Sequence, residues 1–379
     1  MIARPLVALA IVLTGALLSP ASSALPDTPA RPTAYVPPVK HVFVINIENK
    51  GYDETWGGDS AAPYLARTLR AKGVLLNHYY GTAHNSQPNY IAQVSGQGPN
   101  PEMQADCQLF TDFTRTSTVD PDQAVGSGCV FPADVPTLPG QLTAAGRTWK
   151  GYMDDMTKPC QHPDVGAVDP TQRATAEQNY AARHNPFVYF HSIIDDPAYC
   201  KRHVVPLGGL VHDLKRVRTT PNLTYIAPDL CHDGHDAPCA DGRPGGLASV
   251  NAWMKRWVPR ILASPAFRKN GALIITADES DGPQADADAC CGPATSANSP
   301  MPGILGPGGG KIGALVISKF VQPGSWSTTP YNHYSLLGSM EEIFGLPKLG
   351  YARDEGVDTF GLDVWNDYSS SSSASPITR

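Results

Sequence analysis

A serine stands at the start of a predicted helix, within residues 84–89 of sequence His-Asn-Ser-Gln-Pro-Asn. Pro88 suits the first turn of a helix because its missing N–H has no partner there, and the helical pattern ends at Gly96. The hydroxyl of Ser86 would then lie beside the free N–H groups and the positive end of the helix dipole. Such a place can hold a phosphate next to a nucleophile, although the same residues also fit an ordinary serine N-cap.

Acidic, amide and imidazole side chains follow three apolar segments that are predicted to be strands. Residues 41–47 run into Glu48 and Asn49, residues 222–227 into Asp229, His232, Asp233, His235 and Asp236, and residues 272–277 into Asp278 and Glu279. One such group is typical of a routine turn. Three groups at strand ends, together with Ser86, indicate a functional site.

These side chains offer oxygen and imidazole ligands, which suit a divalent metal ion such as Zn²⁺, Mn²⁺, Mg²⁺ or Ca²⁺. A metal ion would lower the pKa of the Ser86 hydroxyl and polarise a phosphoryl oxygen. His84 is a candidate base, acid or phosphate donor, and Asn89 a candidate amide donor to a non-bridging oxygen. His333, taken alone, fits a capping or core role. The remaining histidines are interpreted as structural: His41, His78, His162, His184, His191, His203 and His212.

The elements that must position these residues alternate between strand and helix. Strands are predicted at 41–47, 74–80, 148–153, 222–227, 272–277 and 312–318, and helices at 61–72, 88–95, 137–145, 247–262 and 334–344. This alternation predicts an α/β fold with a mostly parallel sheet and helices on both faces. In such sheets ligands bind beyond the carboxyl ends of the strands, where the candidate residues stand.

The beginning of the chain is typical of an exported protein. Residues 1–24 have the positive, apolar and small-residue regions of a signal peptide. A Pro-rich linker at 25–39 follows, and there is no second long apolar run that predicts a membrane anchor after cleavage. Residues 40–366 are predicted to form a single domain, and the Ser-rich tail at 367–379 is predicted to be disordered.

Charge and motifs exclude several function classes. The 379 residues carry a formal charge of −6 and show no basic stripe, which argues against nucleic-acid binding. The Gly-x-Ser-x-Gly motif of ester hydrolases is absent, and so is a Gly-rich phosphate loop with its lysine. Carboxyl-ester hydrolysis and nucleotide-dependent transfer are therefore disfavoured.

Eight cysteines in an exported chain favour disulfides over thiols. Local pairing predicts bridges between Cys107 and Cys129, between Cys160 and Cys200, and between Cys231 and Cys239. The adjacent Cys290 and Cys291 remain and predict a vicinal bridge. A cysteine metal site is the weaker alternative because no Cys-x-x-Cys pair is present.

Six segments resemble, in order, the bacterial phosphoesterase family, which holds secreted acid phosphatases and bacterial phospholipases C within the alkaline phosphatase superfamily. The matching segments are 44–50, 83–96, 229–236, 274–279, 331–337 and 342–352. Within the family the chain resembles the smaller secreted acid phosphatases, including those of the phosphatidylinositol-3-phosphatase type. The extra C-terminal domains usual in the phospholipases C are absent here.

The resemblance implies an alkaline-phosphatase-like α/β/α sandwich and a set of site residues. Metal ligands would be Glu48, Asn49, Asp278 and Glu279, with Ser86 as the metal-bound nucleophile. Asp233, His235 and Asp236 would complete the site or assist the leaving group, and His232 and His333 would lie near the substrate. Three residues depart from the family pattern: Asn85 stands where many relatives have Pro, Asp229 where Asn is common, and Glu279 where two-zinc relatives have His. The last departure favours one metal or a weakly held second.

The sequence therefore predicts a secreted, metal-dependent phosphomonoesterase of the acid phosphatase type that forms a phosphoseryl intermediate. His235 or His84 would protonate the leaving group. The expected substrates are phosphate monoesters, including phosphoinositide 3-phosphates and thus a phospholipid headgroup. The alternatives are a phosphodiesterase of the phospholipase C type and a non-catalytic secreted protein that binds metal or lipid.

Overall fold

The computed structural model of this chain describes residues 36–366, with Ile2 as the single described residue before them. The rest of the predicted signal peptide, residues 25–35 of the predicted linker and the predicted Ser-rich tail all lie outside the described residues.

An eight-stranded sheet forms the centre of the fold, in the order β13-β2-β12-β11-β1-β10-β7-β9. The strands are β1 His41–Ile47, β2 Val74–Leu76, β3 Tyr79–Tyr80, β4 Leu109–Phe110, β5 Thr114–Val119, β6 Gln123–Ser127, β7 Trp149–Met153, β8 Ala167–Val168, β9 Val204–Pro206, β10 Leu223–Ala227, β11 Gly271–Ala277, β12 Ala314–Ser318, β13 Trp326–Ser327 and β14 Tyr331–Asn332. Within this sheet only β12 is antiparallel to its neighbours. The predicted α/β fold with a mostly parallel sheet is confirmed.

The α-helices are α1 Tyr52–Trp56, α2 Ser86–Ser95, α3 Leu138–Ala144, α4 His191–Ile194, α5 Pro197–His203, α6 Leu210–Asp213, α7 Gly246–Ala263, α8 Pro265–Asn270 and α9 His333–Phe344. A π-helix spans Tyr64–Leu69, and 3-10 helices span Arg70–Lys72, Met103–Ala105, Ala182–His184, Pro186–Tyr189, Leu207–Gly209 and Gly350–Arg353. No helix of the described chain is both long and apolar enough to cross a membrane.

Three predicted elements differ from the structure. The segment 74–80 is two strands, because β3 leaves the central sheet and pairs with β14. The segment 61–72 forms a π-helix and a 3-10 helix in place of one α-helix. The strand near 312–318 is antiparallel to β11, since the connection between them contains no crossover helix that would return the chain for a parallel pairing.

Helix α2, which begins at Ser86, lies inside the protein. All ten residues of α2 are buried, as are all seven residues of β1. A central parallel strand is covered on both faces, which explains the unbroken apolar run of β1. Because α2 packs against α9, its polar residues must find partners within the protein.

The four predicted disulfides are confirmed. They join Cys107 to Cys129, Cys160 to Cys200, Cys231 to Cys239 and Cys290 to Cys291. The third bridge closes a loop of only eight residues in sequence separation. This loop contains Asp233, His235 and Asp236, so the bridge restrains the candidate residues that follow β10.

Candidate active site

The carboxyl ends of three neighbouring strands bring the first candidate residues together. β1 lies between β10 and β11 and is parallel to both, with Ile47 opposite Ala277. The residues that follow these strands therefore meet at one edge of the sheet. They are Glu48 and Asn49 after β1, Asp229 to Asp236 after β10, and Asp278 and Glu279 after β11.

Ser86, the first residue of α2, faces the carboxylate of Glu48. Its Oγ donates a hydrogen bond of 2.7 Å to Oε2 of Glu48. The hydroxyl of Tyr90, one turn further along α2, donates to Oε1 of the same carboxylate. Ser86 is 2% exposed and Glu48 is fully buried. The helix thus directs a hydroxyl at a carboxylate in a largely dry environment.

Asn49 and Asp278 form the second part of the cluster. The backbone N–H of Asn49 donates to Oδ1 of Asp278 at 3.0 Å. Asn49 has φ of 51°, in the left-handed region that asparagine tolerates better than most residues. Oδ1 of Asn49 and Oδ2 of Asp278 are buried, and neither has a hydrogen-bond partner among the described residues. Two oxygen atoms are thus held at the site without a proton donor.

His184 and Asp233 close the cluster from another side. Nε2 of His184 lies 3.4 Å from Oε2 of Glu48, and Nδ1 lies 3.2 Å from Oδ2 of Asp233, but neither contact has hydrogen-bond geometry. One ligand atom from each of these three residues lies within 4.8 Å of the other two. The ring of His184 stacks on Tyr90 with 5.2 Å between centroids, which fixes the plane of the imidazole.

Burial and mutual repulsion set the charges of these groups. Burial, followed by the charges of Asp278 and Asp233, raises the pKa of Glu48 well above its ordinary value. Burial raises the pKa of Asp233 as well and raises that of Asp278 to about 6. Burial, and then the nearby Arg183, lower the pKa of His184 well below its ordinary value, so its imidazole is neutral. Metal ligands must be deprotonated, and a neutral imidazole meets that requirement.

The unpaired atoms of this cluster fit a divalent cation. Buried polar atoms in native proteins nearly always have a hydrogen-bond partner. Within residues 36–366, no such partner exists for Oδ1 of Asn49, Oδ2 of Asp278, Oδ2 of Asp233 or either ring nitrogen of His184. Their oxygen and imidazole donors are ligands of Zn²⁺, Mn²⁺ and Mg²⁺. We call Glu48, Asn49, Ser86, His184, Asp233 and Asp278 the Glu48 cluster.

A second group of ligand atoms belongs to Asp229, Cys231 and His232. The sulfur of Cys231 is bonded to Cys239 and is therefore not available as a thiolate. The carboxylate of Asp229 already accepts from the backbone N–H of Cys231 and His232 and from the His232 ring. This second group does not fit a metal ion.

The structure contradicts the predicted role of Asn89 in substrate binding. Oδ1 of Asn89 accepts from the backbone N–H groups of Thr82 and Ala83, at 2.8 and 3.0 Å. Its Nδ2 donates to the carbonyl oxygens of Ala83 and Asn85. Because the amide is fully used, Asn89 braces the loop that carries Ser86 and has no donor left for a phosphoryl oxygen.

His84 and Glu279 also differ from their predicted roles. Nδ1 of His84 contacts Oε2 of Glu279, and Nε2 donates to the carbonyl of Asp286 at 2.9 Å. Both ring nitrogens are therefore occupied, so His84 is a positioning residue for the Ser86 loop. The carboxylate of Glu279 is thus paired with His84, whereas Asp278 beside it belongs to the Glu48 cluster.

His333 is buried behind the cluster. Its Nε2 donates to the carbonyl of Asp278 at 2.6 Å, while Nδ1 accepts from the hydroxyl of Tyr79 and from Nε2 of Gln93. Burial lowers the pKa of His333 to about 4. Both nitrogens of this neutral ring are used within the protein, so His333 positions Asp278 and has no ring nitrogen left for the substrate contact that was predicted.

The remaining predicted residues lie on the outer side of the loop after β10. Nδ1 of His235 pairs with Oδ1 of Asp236 at 2.7 Å, and its Nε2 lies 3.3 Å from Nη2 of Arg183. The side chain of His235 is 32% exposed, at a ring distance of 6.3 Å from His184. Asp236 is therefore a partner of His235 and is not among the three clustered ligand residues Glu48, His184 and Asp233. His232 pairs with Asp229 and stands apart from the Glu48 cluster.

A carboxylate occupies the N terminus of α2, where the sequence predicted a phosphate. Oδ1 of Asp106 accepts from the backbone N–H of Gln87 at 3.0 Å. Oδ2 of Asp106 lies 3.7 Å from Nε of Arg183, a buried arginine. The first turn of α2 thus positions Ser86, and its positive end is already compensated by Asp106.

Sequence analysis missed three site residues: Tyr90, Arg183 and His184. Tyr90 lies within the predicted helix 88–95, where no role was assigned to it. His184 ends a short 3-10 helix, Ala182–His184, with no strand before it. The sequence feature that could have indicated Arg183 and His184 is the run Arg183-His184-Asn185-Pro186, in which a cation and an imidazole stand shortly before a proline.

Known proteins are similar to this chain in sequence and in fold. It is 27% identical to the phosphatidylinositol-3-phosphatase of Mycobacterium tuberculosis, over 94% of this chain and 92% of that protein. It is 25% identical to a phosphate-repressible acid phosphatase of Penicillium chrysogenum over 74% of this chain, and 24% identical to an acid phosphatase of Aspergillus fumigatus over 81%. The matches cover 54% and 55% of these two fungal proteins.

Among solved structures, Ps i-CgsB aligns with a TM-score of 0.51 at 14% identity, over 84% of this chain and 75% of that chain. A protein of the alkaline phosphatase superfamily from Vibrio parahaemolyticus aligns with a TM-score of 0.45 at 11% identity, over 83% and 69%. At these identities the likeness concerns the fold alone. The sequence profile of the Phosphoesterase family matches residues 58–347. This chain belongs to the Phosphoesterase family and is a hydrolase that acts on phosphoric esters.

Proposed function

We propose that this protein is a metal-dependent phosphomonoesterase of the acid phosphatase type, with Ser86 as its nucleophile. The hydrogen bond from Ser86 to Glu48, inside a buried cluster of unpaired ligand atoms, carries the proposal. A hydroxyl is a weak nucleophile until a base or a metal activates it. Glu48 offers a carboxylate at hydrogen-bonding distance, so both means of activation would meet at one atom.

Ser86 attacks the phosphorus in line with the bond to the leaving oxygen, forming the Oγ–P bond as the P–O bond breaks. The proton of Ser86 is directed at Glu48, whose Oε2 accepts the hydrogen bond from Oγ. Water then attacks the phosphorus of the phosphoseryl intermediate as the Oγ–P bond breaks. Glu48 returns its proton to Oγ, and the proton that water loses replaces the one given to the leaving oxygen. Tyr90 keeps the Glu48 carboxylate in place during both steps.

Glu48, Asn49 and Asp278 would hold the metal ion, with His184 and Asp233 completing its surroundings. A bound divalent ion supplies Lewis-acid stabilisation of phosphoryl charge and lowers the pKa of the serine hydroxyl. The contact of His333 with the carbonyl of Asp278 keeps that strand end in place. This assignment needs one metal ion, which agrees with the presence of Glu279 where two-zinc relatives have His.

Of the two histidines considered for protonating the leaving group, His235 fits better. The side chain of His84 is fully buried, whereas that of His235 is partly exposed and lies near the His184 ring. We assign the leaving-group side of the site to His235, with Arg183 beside it. The disulfides and the signal-like start of the chain support secretion.

The names of the relatives support phosphate monoesters as substrates, among them phosphoinositide 3-phosphates. The test is hydrolysis of p-nitrophenyl phosphate by the wild type and by Ser86→Ala, with and without a chelator. We expect loss of turnover in the variant and in the chelated wild type. Ser95→Ala is a matched control, since Ser95 ends the same helix and its hydroxyl donates to the carbonyl of Pro136. Full activity of Ser86→Ala would refute the assignment.

The runner-up, a phosphodiesterase, predicts the opposite substrate preference. p-Nitrophenyl phosphorylcholine separates the two, because a diesterase cleaves it and leaves p-nitrophenyl phosphate intact. Turnover of neither ester, with stoichiometric metal bound, would favour the non-catalytic alternative.

A further inference from the structure

A cavity of about 470 Å³ lies beside the loop that follows β10. The residues that line it are His232, Arg243, Pro244, Ala248, Ser249, Ala252, Trp253 and Arg256. Two of these are arginines and none is acidic, which stands out in a chain of formal charge −6. We call this cavity the Arg256 pocket.

The Arg256 pocket and the Glu48 cluster flank the same loop. His232 lines the pocket, and the next residue, Asp233, contacts His184 within the cluster. Asp154, which follows β7, accepts from Nε1 of Trp253 at 2.8 Å and holds this lining residue in place. Because β7 is two strands from β1, the strand end that carries Asp154 lies roughly 10 Å from the strand end that carries Glu48.

Carboxylates already pair with two of the three basic residues of the pocket, Arg243 and His232, and no salt bridge among the described residues involves Arg256. Residues 242–277 contain six lysines and arginines and no acidic residue. Arg256 is exposed on α7 and lies over the ring of Trp257. Arg243 pairs with Asp241 through Nε, which leaves its terminal nitrogens for another acceptor. Both guanidinium groups stay charged at any physiological pH.

We propose that the Arg256 pocket binds a second anionic group of the substrate, while the phosphate monoester is cleaved at Ser86. The inference rests on the proposed function and narrows its substrate class to phosphate esters with another phosphate or carboxylate. Guanidinium groups bind both anions in a bidentate manner. The apolar walls formed by Trp253, Ala248 and Ala252 suit the carbon frame between the two anions.

The experiment uses alkane diol bisphosphates of increasing chain length as a molecular ruler, with the matching monophosphates as references. For the purified wild type we expect kcat/KM for the bisphosphates to exceed that for the monophosphates, with a maximum at one chain length. In Arg256→Ala this preference should fall about tenfold or more, the loss typical of one charged hydrogen bond. Activity on p-nitrophenyl phosphate, which lacks a second anion, should stay unchanged.

Lys255→Ala is the matched control, since it removes an exposed positive charge from the neighbouring position of α7 without lining the pocket. It should keep the preference, and Arg256→Lys should keep part of it. Three results would overturn the inference: no bisphosphate preference in the wild type, an unchanged preference in Arg256→Ala, or an equal loss on bisphosphate and p-nitrophenyl phosphate.

Binding to Ser86→Ala separates this inference from the proposed function. If turnover is absent, calorimetry still compares pentane-1,5-diol bisphosphate with pentyl phosphate. Tighter binding of the bisphosphate, lost on the added change Arg256→Ala, supports the pocket independently of catalysis. Equal binding of the two compounds refutes it. A different outcome is that added inorganic phosphate raises the rate on a monophosphate to the rate on the bisphosphate. That result would show a separate anion site and would also refute the inference as stated.

Discussion

The hydroxyl of Ser86 donates a 2.7 Å hydrogen bond to Oε2 of Glu48. Burial of this carboxylate, and then the charges of Asp278 and Asp233, raise its pKa. In the proposed mechanism the nucleophile, the proton acceptor and a metal ligand share this one contact. A change at Glu48 should therefore affect catalysis and metal binding together.

We expect Glu48→Gln to lower kcat on p-nitrophenyl phosphate by about a hundredfold or more, the usual contribution of general acid–base catalysis. Glutamine keeps the shape of the side chain but loses the negative charge. Tyr90→Phe is the matched control, because it removes the second hydrogen bond to the same carboxylate and leaves its charge. Its effect should stay within about tenfold. If both variants lose equal activity, packing and not charge explains the effect.

His184 tests the part of the site that sequence analysis missed. His184→Asn should weaken metal affinity and lower kcat, since it removes a neutral ring placed between Glu48 and Asp233. Metal affinity is measured by competition with a coloured chelator. His191→Asn is a suitable control, because His191 pairs with Asp112 and Asp195 away from the site. Unchanged metal affinity in His184→Asn would exclude this residue as a ligand.

The strand-end residues of the site followed from local sequence. Glu48, Asn49 and Asp278 come directly after central strands, and the topology of a parallel sheet brings such positions to one edge. The local disulfides were predictable for a similar reason, since each joins cysteines at most 40 residues apart. Sheet topology determines which strand-end residues lie close together, and short separation in sequence determines which cysteines pair.

The errors concern side chains whose partners are distant in sequence. His84 pairs with Glu279, which is 195 residues away, and His333 with Asp278, 55 residues away. Sequence shows that such groups are polar but does not show that another side chain uses their donors. His184 was missed because it stands on an irregular loop that only the tertiary fold brings to Glu48.

Metal removal should destabilise the wild type, because Glu48, Asp233 and Asp278 then repel one another in a buried place. A metal ion at a hundred times its Kd stabilises a protein by about 2.7 kcal/mol. We expect dialysis against a chelator to lower Tm by several degrees, and Zn²⁺ or Mn²⁺ to restore it.

The melting temperature of Asp278→Asn should respond differently to metal removal. Removing one of three buried carboxylates relieves the repulsion, so the metal-free variant should melt above the metal-free wild type, while added metal should raise its Tm much less. Differential scanning fluorimetry with a metal titration measures both effects. A metal-induced rise in Tm equal to that of the wild type would show that Asp278 is not a ligand.

Glu341 provides a test of stability that is independent of the active site. It lies on α9, fully buried, and Oε1 accepts from the backbone N–H of Leu349 at 3.0 Å. Oε2 has no partner among the described residues, and burial raises the pKa of Glu341 to about 9. The folded protein therefore keeps this proton at neutral pH, whereas the unfolded chain releases it near pH 4.3, about the ordinary value.

Because the native state binds the extra proton, the contribution of Glu341 is fully present below about pH 4.3 and is lost as pH rises toward 9, at up to roughly 1.4 kcal/mol per pH unit. Glutamine resembles the protonated acid and does not titrate. Glu341→Gln should thus raise the free energy of unfolding more at pH 8 than at pH 5, as measured by urea denaturation. Glu342→Gln, which changes a partly exposed neighbour paired with Lys348, should show no such trend. Equal effects of Glu341→Gln at both pH values would mean that Glu341 is ionised in the folded protein.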